Sequence, residues 1–174
     1  PNYYFRNIKK KNQLTQITNF KNPFESIKNV HKEVIKYKRK DGVELSGTLY
    51  LPAGYDMKKK EKLPLLIWAY PEEYKDKNSA GQSAQNPNDS TFRYYGSFVY
   101  WVNKGYVVLD DASFPISGEG TTEPNDTFIQ QLVSNAEAAI DAGDRRRYLR
   151  WPRACRLHVQ LGAQAISRRL ASLW

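Results

Sequence analysis

Adjacent carboxylates occur twice in this chain, at Glu72-Glu73 and Asp110-Asp111, each directly after a run of apolar residues. A carboxylate pair can divide acid and base work or hold a divalent cation, but neighbours on an extended segment point to opposite sides, so neither pair is expected to act as a unit. His31 and His158 have no partner at zinc-ligand spacing, and no metal site is expected. The single thiol, Cys155, excludes an internal disulfide. A nucleophilic serine of the elbow type needs G-x-S-x-G on a sharp turn after a buried strand. The nearest imitation, Gly81-Gln82-Ser83-Ala84-Gln85, lacks the second glycine and has no apolar strand leading into it, so Ser83 is not expected to attack. Gly118-Glu119-Gly120 has neither the third glycine nor the following lysine of a phosphate loop. No cofactor is expected.

The elements that must position any chemistry centre on Leu63 to Pro71. Leu65, Leu66, Ile67, Trp68 and Ala69 leave no polar face, which predicts a strand buried on both sides, with a ligand crevice where the run stops at Tyr70-Pro71-Glu72-Glu73. Before it, Asn2–Ile8 and Gln13–Thr18 flank the polar Lys9-Lys10-Lys11-Asn12 as a hairpin. His31–Lys40 and Val43–Leu51 flank Asp41-Gly42 as a second one with one face wet. After it, Glu72 to Arg93 reads as a long loop, Tyr94–Asn103 as a short helix ended by Gly105, and Tyr106–Leu109 as a second buried strand. Ser113 to Asp126 reads as a loop, with Asn125 or Asp126 capping a helix whose buried stripe is Phe128, Leu132, Ala136, Ala139 and Ile140. Strand, loop and helix repeat in the order of a parallel α/β sheet. A further buried strand is due after residue 142, and Gly143 to Trp174 offers no clean one.

The 174 residues suffice for one domain, and the apolar runs are too short to span a membrane. The net charge of +9 is unevenly placed: residues 1–142 hold 16 Lys and 3 Arg against 17 acids, or +2, while residues 143–174 hold 8 Arg against Asp144, or +7. All the lysines precede residue 105 and the tail uses arginine alone, a switch with no folding rationale because the two residues have similar helix propensity. Pro1-Asn2-Tyr3-Tyr4 has no signal-peptide pattern, and a start without Met is expected of a piece cut from a longer chain.

Three segments in order, YKRKDGVELSGTLYLPAGY, LPLLIWAYPEEYKDK and the run from GEGTTEPNDTF to NAEAAIDA, resemble the prolyl oligopeptidase family of serine peptidases, in its glutamyl endopeptidase branch. The resemblance covers about residues 1–142. It implies an α/β class with an incomplete α/β-hydrolase sheet preceded by the last strands of a β-propeller. Residues 1–30 would end the propeller and connect it, 31–142 would open the hydrolase domain, and 143–174 would be an atypical Arg-rich tail, frameshifted or foreign. In the family a tyrosine at the end of the strand matching Leu65 to Tyr70 donates to the oxyanion of the tetrahedral intermediate, and Tyr70 matches it. Gly118-Glu119-Gly120 fits a family loop on the active-site side. Continuing the register from NAEAAIDA puts Gln160 where the nucleophile belongs, and glutamine cannot form an acyl-enzyme. The catalytic Asp and His follow the nucleophile in chain order and are not expected here.

The expected function is thus that of a peptidase fragment, inactive alone, whose intact parent takes a peptide substrate. No nucleic-acid partner and no membrane span are expected. Periplasm or secretion suits the parent, although nothing in these residues sets the compartment. The alternative is a basic binding module in which Arg145-Arg146-Arg147 to Arg169, with Tyr148 and Trp151, grips nucleic acid or an anionic surface. A third reading is an interaction domain that keeps the sheet without the chemistry.

Overall fold

The computed structural model describes residues 2–59, 61–80 and 96–146, and the backbone of a strand at 155–159. The first hairpin is as expected: β1 (Tyr4–Asn7) pairs antiparallel with β2 (Gln13–Gln16), Tyr4 opposite Gln16. The chain reverses through Lys11 and Asn12, both at positive φ. Tyr4, Phe5 and Leu14 on these strands are exposed.

A second, five-stranded sheet comprises β3 (His31–Lys38), β4 (Glu44–Leu51), β5 (Leu65–Tyr74), β6 (Val107–Ser117) and β7 (Cys155–Val159), in the order β3-β4-β6-β5-β7. The β3–β4 hairpin turns at Asp41-Gly42, where Gly42 adopts φ 89°. β6 runs antiparallel to β4 and parallel to β5, which makes the sheet mixed. The sheet's two faces bury different partners. Leu49, Leu51, Leu65, Ile67, Val107 and Leu109 pack with Leu132, Ala136, Ala139 and Ile140 of the helix α2 (Phe128–Arg145). Tyr50, Leu66 and Val108 pack on the other side against Val99 and Val102 of a 3₁₀ segment, Phe98–Lys104. Full burial of each such leucine or isoleucine stabilises by roughly 1.5–3 kcal/mol, and this two-sided cover is why β5 needs no polar face.

Several expectations need correction. β4 is buried from Leu45 through Leu51, so the wet face of that hairpin is confined to β3, where Lys36 and Lys38 are exposed; Gly47 lets β6 approach, since a Cβ there would lie 2.7 Å from Leu109 Cδ1. β5 does not stop at the crevice but continues to Tyr74, and a short helix α1 (Lys77–Ala80) follows in what reads as loop. β6 extends eight residues past Leu109, to Ser117, through the stretch expected as loop. Phe98–Lys104 is 3₁₀ rather than α, closed by Gly105 at φ 79°; Tyr94 and Tyr95 lie outside the described residues. A 3₁₀ turn, Pro124–Thr127, precedes α2, whose N-cap is Thr127 and not Asn125 or Asp126; Asp126 instead accepts from the backbone N of Glu123 at 3.0 Å within that turn. Finally, β7 pairs parallel with β5 from Cys155 opposite Leu65 to Val159 opposite Ala69, a strand where none was expected. Cys155-Arg156-Leu157-His158-Val159 alternates apolar with polar residues, whereas a buried parallel strand usually reads as a continuous apolar run.

Between Leu109 and Ala112 the β6 ladder carries an extra residue: Ile67 pairs with Leu109, yet Ala69 pairs with Ala112. Asp111 takes the left-handed conformation at φ 51°, which Asp tolerates better than most residues. The bulge shifts the face pattern by one. Val107 and Leu109 lie in the same core as Ala112, Phe114 and Ile116, so odd positions before it and even positions after it point towards α2.

Candidate functional site

Tyr70 lies where the sheet changes width. Among the described residues β5 pairs with β7 as far as Ala69 on one flank; on the other it pairs with β6 from Tyr70 opposite Ser113 to Tyr74 opposite Ser117. β6 in turn pairs with β4 only as far as Asp110. Among the described residues, 70–74 and 113–117 therefore form a two-stranded parallel extension beyond the five-stranded core, and Tyr70 stands at its root, half exposed. Alternation places Tyr70 on the face of Leu66 and Trp68, where Trp68 stacks on Phe98 at 5.0 Å between ring centroids.

A parallel pair of strands has little stability of its own, and here side chains brace it. Arg39, buried at the β3–β4 turn, grips Asp41 through Nε–Oδ1 and Nη2–Oδ2, both 2.8 Å, and donates from Nη1 to Asn135 Oδ1 at 2.8 Å and to the carbonyl of Pro115 at 3.2 Å. Asn135, fully buried on α2, donates to the same carbonyl at 3.0 Å. The side-chain bond from Arg39 holds the Asp41 carboxyl below the usual carboxylate range. Ser46 of β4 and Ser113 of β6 share a hydroxyl bond at 3.1 Å, in place of a ladder contact.

The tip of the extension is closed by the glycine pair. Glu119 and Thr122 exchange backbone bonds of 3.1 and 3.0 Å, with Gly120 at φ 63° in the turn, and Gly118 donates to the carbonyl of Tyr74 at 2.9 Å. A Cβ on Gly118 would meet Thr122 O at 2.8 Å, so both glycines are explained by backbone geometry. Lys77 pairs with Glu119 at 2.8 Å and ties α1 to this turn.

The other sequence candidates do not converge on a second site. Glu72 accepts a 2.5 Å bond from the Tyr74 hydroxyl, which pushes the phenol pKa up to about 12, while Glu73 lies on the opposite face of the strand. Asp110 is buried and Asp111, at left-handed φ in the bulge, is exposed, so the two carboxylates lie in different surroundings. His31 lies at the start of β3, 3.7 Å from Glu33. Among the described residues no group of three His, Cys, Asp or Glu could hold a metal, and no helix is long and apolar enough to cross a membrane. Ser83 and Gln160 lie outside the described residues, as do Arg147, Tyr148, Trp151, Arg168 and Arg169 of the basic tail. His158 lies on β7.

With this geometry in place, two relatives carry the comparison. Identity is 43% over 144 residues with a probable chloroplastic glutamyl endopeptidase of Oryza sativa subsp. japonica, and 44% over 134 residues with the one of Arabidopsis thaliana. The chain resembles the glutamyl endopeptidases of the prolyl oligopeptidase family over this segment. The matches take in 83% and 77% of the chain but only 15% and 14% of those relatives, so the glutamyl-endopeptidase-like segment is a small part of their length. No family model matches the chain. The fold recurs in a post-proline cleaving enzyme from Rickettsia typhi, with TM-score 0.52 and 20% identity over 90% of this chain and 20% of that one. It recurs also in a prolyl endopeptidase structure, with TM-score 0.50 and 17% identity over 91% and 21%.

Arg39, Gln131 and Asn135 are the residues that sequence reasoning overlooks. Arg39 is hidden in a lysine-rich turn that reads as solvated. Asn135 did leave a signal, being polar and adjacent to the apolar stripe at Ala136.

Proposed function

We propose that this segment belongs to a serine-type peptidase that cleaves peptide bonds through an acyl-enzyme, with Tyr70 donating its hydroxyl to the oxyanion of the tetrahedral intermediate. The single observation behind the reading is the 43–44% identity to glutamyl endopeptidases together with a half-exposed Tyr70 at the root of the sheet's extension. A phenol carried by a strand anchored in a packed sheet is a preorganised donor, the arrangement that gives an oxyanion hole its effect. In this reading β1 and β2 are the last strands of a propeller, residues 31–142 open an α/β-hydrolase domain, and β7 occupies the place of the strand that leads to the nucleophile. The residue after Val159 is Gln160, and the 174 residues contain no G-x-S-x-G. The chain by itself is therefore peptidase-inactive, with 143–174 standing apart from the family pattern.

The test sets this chain beside its longer parent on a peptide cleaved after glutamate. The parent is expected to turn it over and to be stopped by a serine-directed phosphonate; the 174-residue chain is expected to do neither. Phosphonate-sensitive turnover by the chain alone would overturn the inactivity, and a parent inert towards all peptides would overturn the peptidase reading.

A further inference from the structure

Among the described residues β6 beyond Asp110 has no strand on its β4 flank, yet its backbone groups at Pro115 and Ser117 are not left open. Pro115 O receives Arg39 and Asn135, as described above. Two residues on, and so along the same edge, Ser117 N donates to Gln131 Oε1 at 3.0 Å while Ser117 O accepts from Gln131 Nε2 at 2.8 Å. The carboxamide of Gln131 thus meets both backbone groups of one residue, as the peptide unit of a neighbouring strand would. Gln131 is itself held by Thr127 Oγ1 at 2.8 Å and by Arg39 Nη2 at 3.3 Å, and Ser117 Oγ donates to Gln131 Oε1 at 3.2 Å.

We infer that Gln131, steadied by Arg39, serves as a surrogate strand for the open edge of β6 and is a positioning residue for Tyr70. The mechanical link is short. Among the described residues, 70–74 of β5 pair with residues 113–117 of β6 and not with β7; these in turn have side chains instead of β4. Loss of the brace should loosen the extension from its tip towards Tyr70 while the core sheet stays paired. The part of this inference that concerns reaction rate rests on the proposed role of Tyr70; the part that concerns the strands does not.

Amide hydrogen exchange on the full 174-residue chain tests the strands directly. Gln131→Met keeps length and removes both bonds, and exchange at residues 70–74 and 113–117 is expected to rise at least tenfold while residues 65–67 and 107–109 keep their protection. Gln131→Glu retains the acceptor for Ser117 N but not the donor for Ser117 O, and an intermediate rise is expected. Equal acceleration in core and extension, or none in the extension, would overturn the inference. Should Gln131→Met fail to fold, Gln131→Glu and Arg39→Lys supply the same comparison between the two regions. In the longer parent, Gln131→Glu is expected to lower kcat with little change in KM. An unchanged kcat alongside a loosened extension would count against Tyr70 as the oxyanion donor and leave the bracing role standing.

Discussion

The core sheet and the extension that grows from it are made of the same two strands and are held in opposite ways. From Leu65 to Ala69, β5 has a strand on each flank and apolar cover on both faces. From Tyr70 to Tyr74 it has one strand among the described residues, and on the far edge of that strand Pro115 and Ser117 are met by guanidinium and carboxamide groups. Hydrophobic burial is non-directional and tolerant of small shifts, so it makes a stable platform. Hydrogen bonds from fixed side chains are directional, and a rim with the proposed task of aiming the Tyr70 hydroxyl gains more from them.

Substitutions placed on either side of Tyr70 should separate the two regimes. Ile67→Ala, in the core, is expected to lower global stability by about 2–5 kcal/mol with a single cooperative transition, measured by chemical denaturation. An unaltered denaturation midpoint would break the distinction. Tyr70→Phe in the longer parent is expected to cost on the order of 10² to 10³ in kcat while leaving the melting curve in place. Arg39→Met should leave Asn135 Oδ1 without its donor while Pro115 O keeps Asn135 Nδ2, and is expected to cost about 1–3 kcal/mol for that buried group, concentrated in the extension. Asp111→Val puts a β-branched residue at φ 51° and is expected to cost about 1–2 kcal/mol more than Asp111→Gly, which adopts that φ without strain.

The smallest effect is a pH dependence. The Asp41 carboxyl is depressed in the folded chain, so its contribution is full above the ordinary carboxylate pKa of about 3.9 and disappears as pH falls through the lowered folded value. Arg39→Met should flatten that part of the acid limb in a denaturation series between pH 5 and pH 2. An acid limb identical to the parent would mean that Arg39 does not set the Asp41 pKa.

The same contrast decides what could be read from the residues alone. The apolar runs at Leu65–Ala69 and Tyr106–Leu109 and the stripe of α2 report burial directly, so the platform was legible. The extension was not, because Pro71-Glu72-Glu73 and Ser113 to Ser117 carry the polar and proline residues that usually mark loops. Their pairing depends on Arg39, Gln131 and Asn135, with Arg39 76 positions away in the chain from Pro115. Nor could the face pattern be followed past Leu109, since an added residue in a ladder leaves no mark in hydrophobicity. Tyr70 was located by resemblance; its position at a change in sheet width was not foreseeable from periodicity.

The bulge at Asp111 also has a bearing on how such a rim could change over generations. Removing that one residue would make the ladder regular, with Ala69 still opposite Ala112 and Tyr70 still opposite Ser113. What would alter is the bend and local twist that a bulge imparts, and hence the direction in which the outer strands leave the platform. A single-codon deletion is therefore a steering adjustment: it would swing the phenol through an arc without giving it a new neighbour.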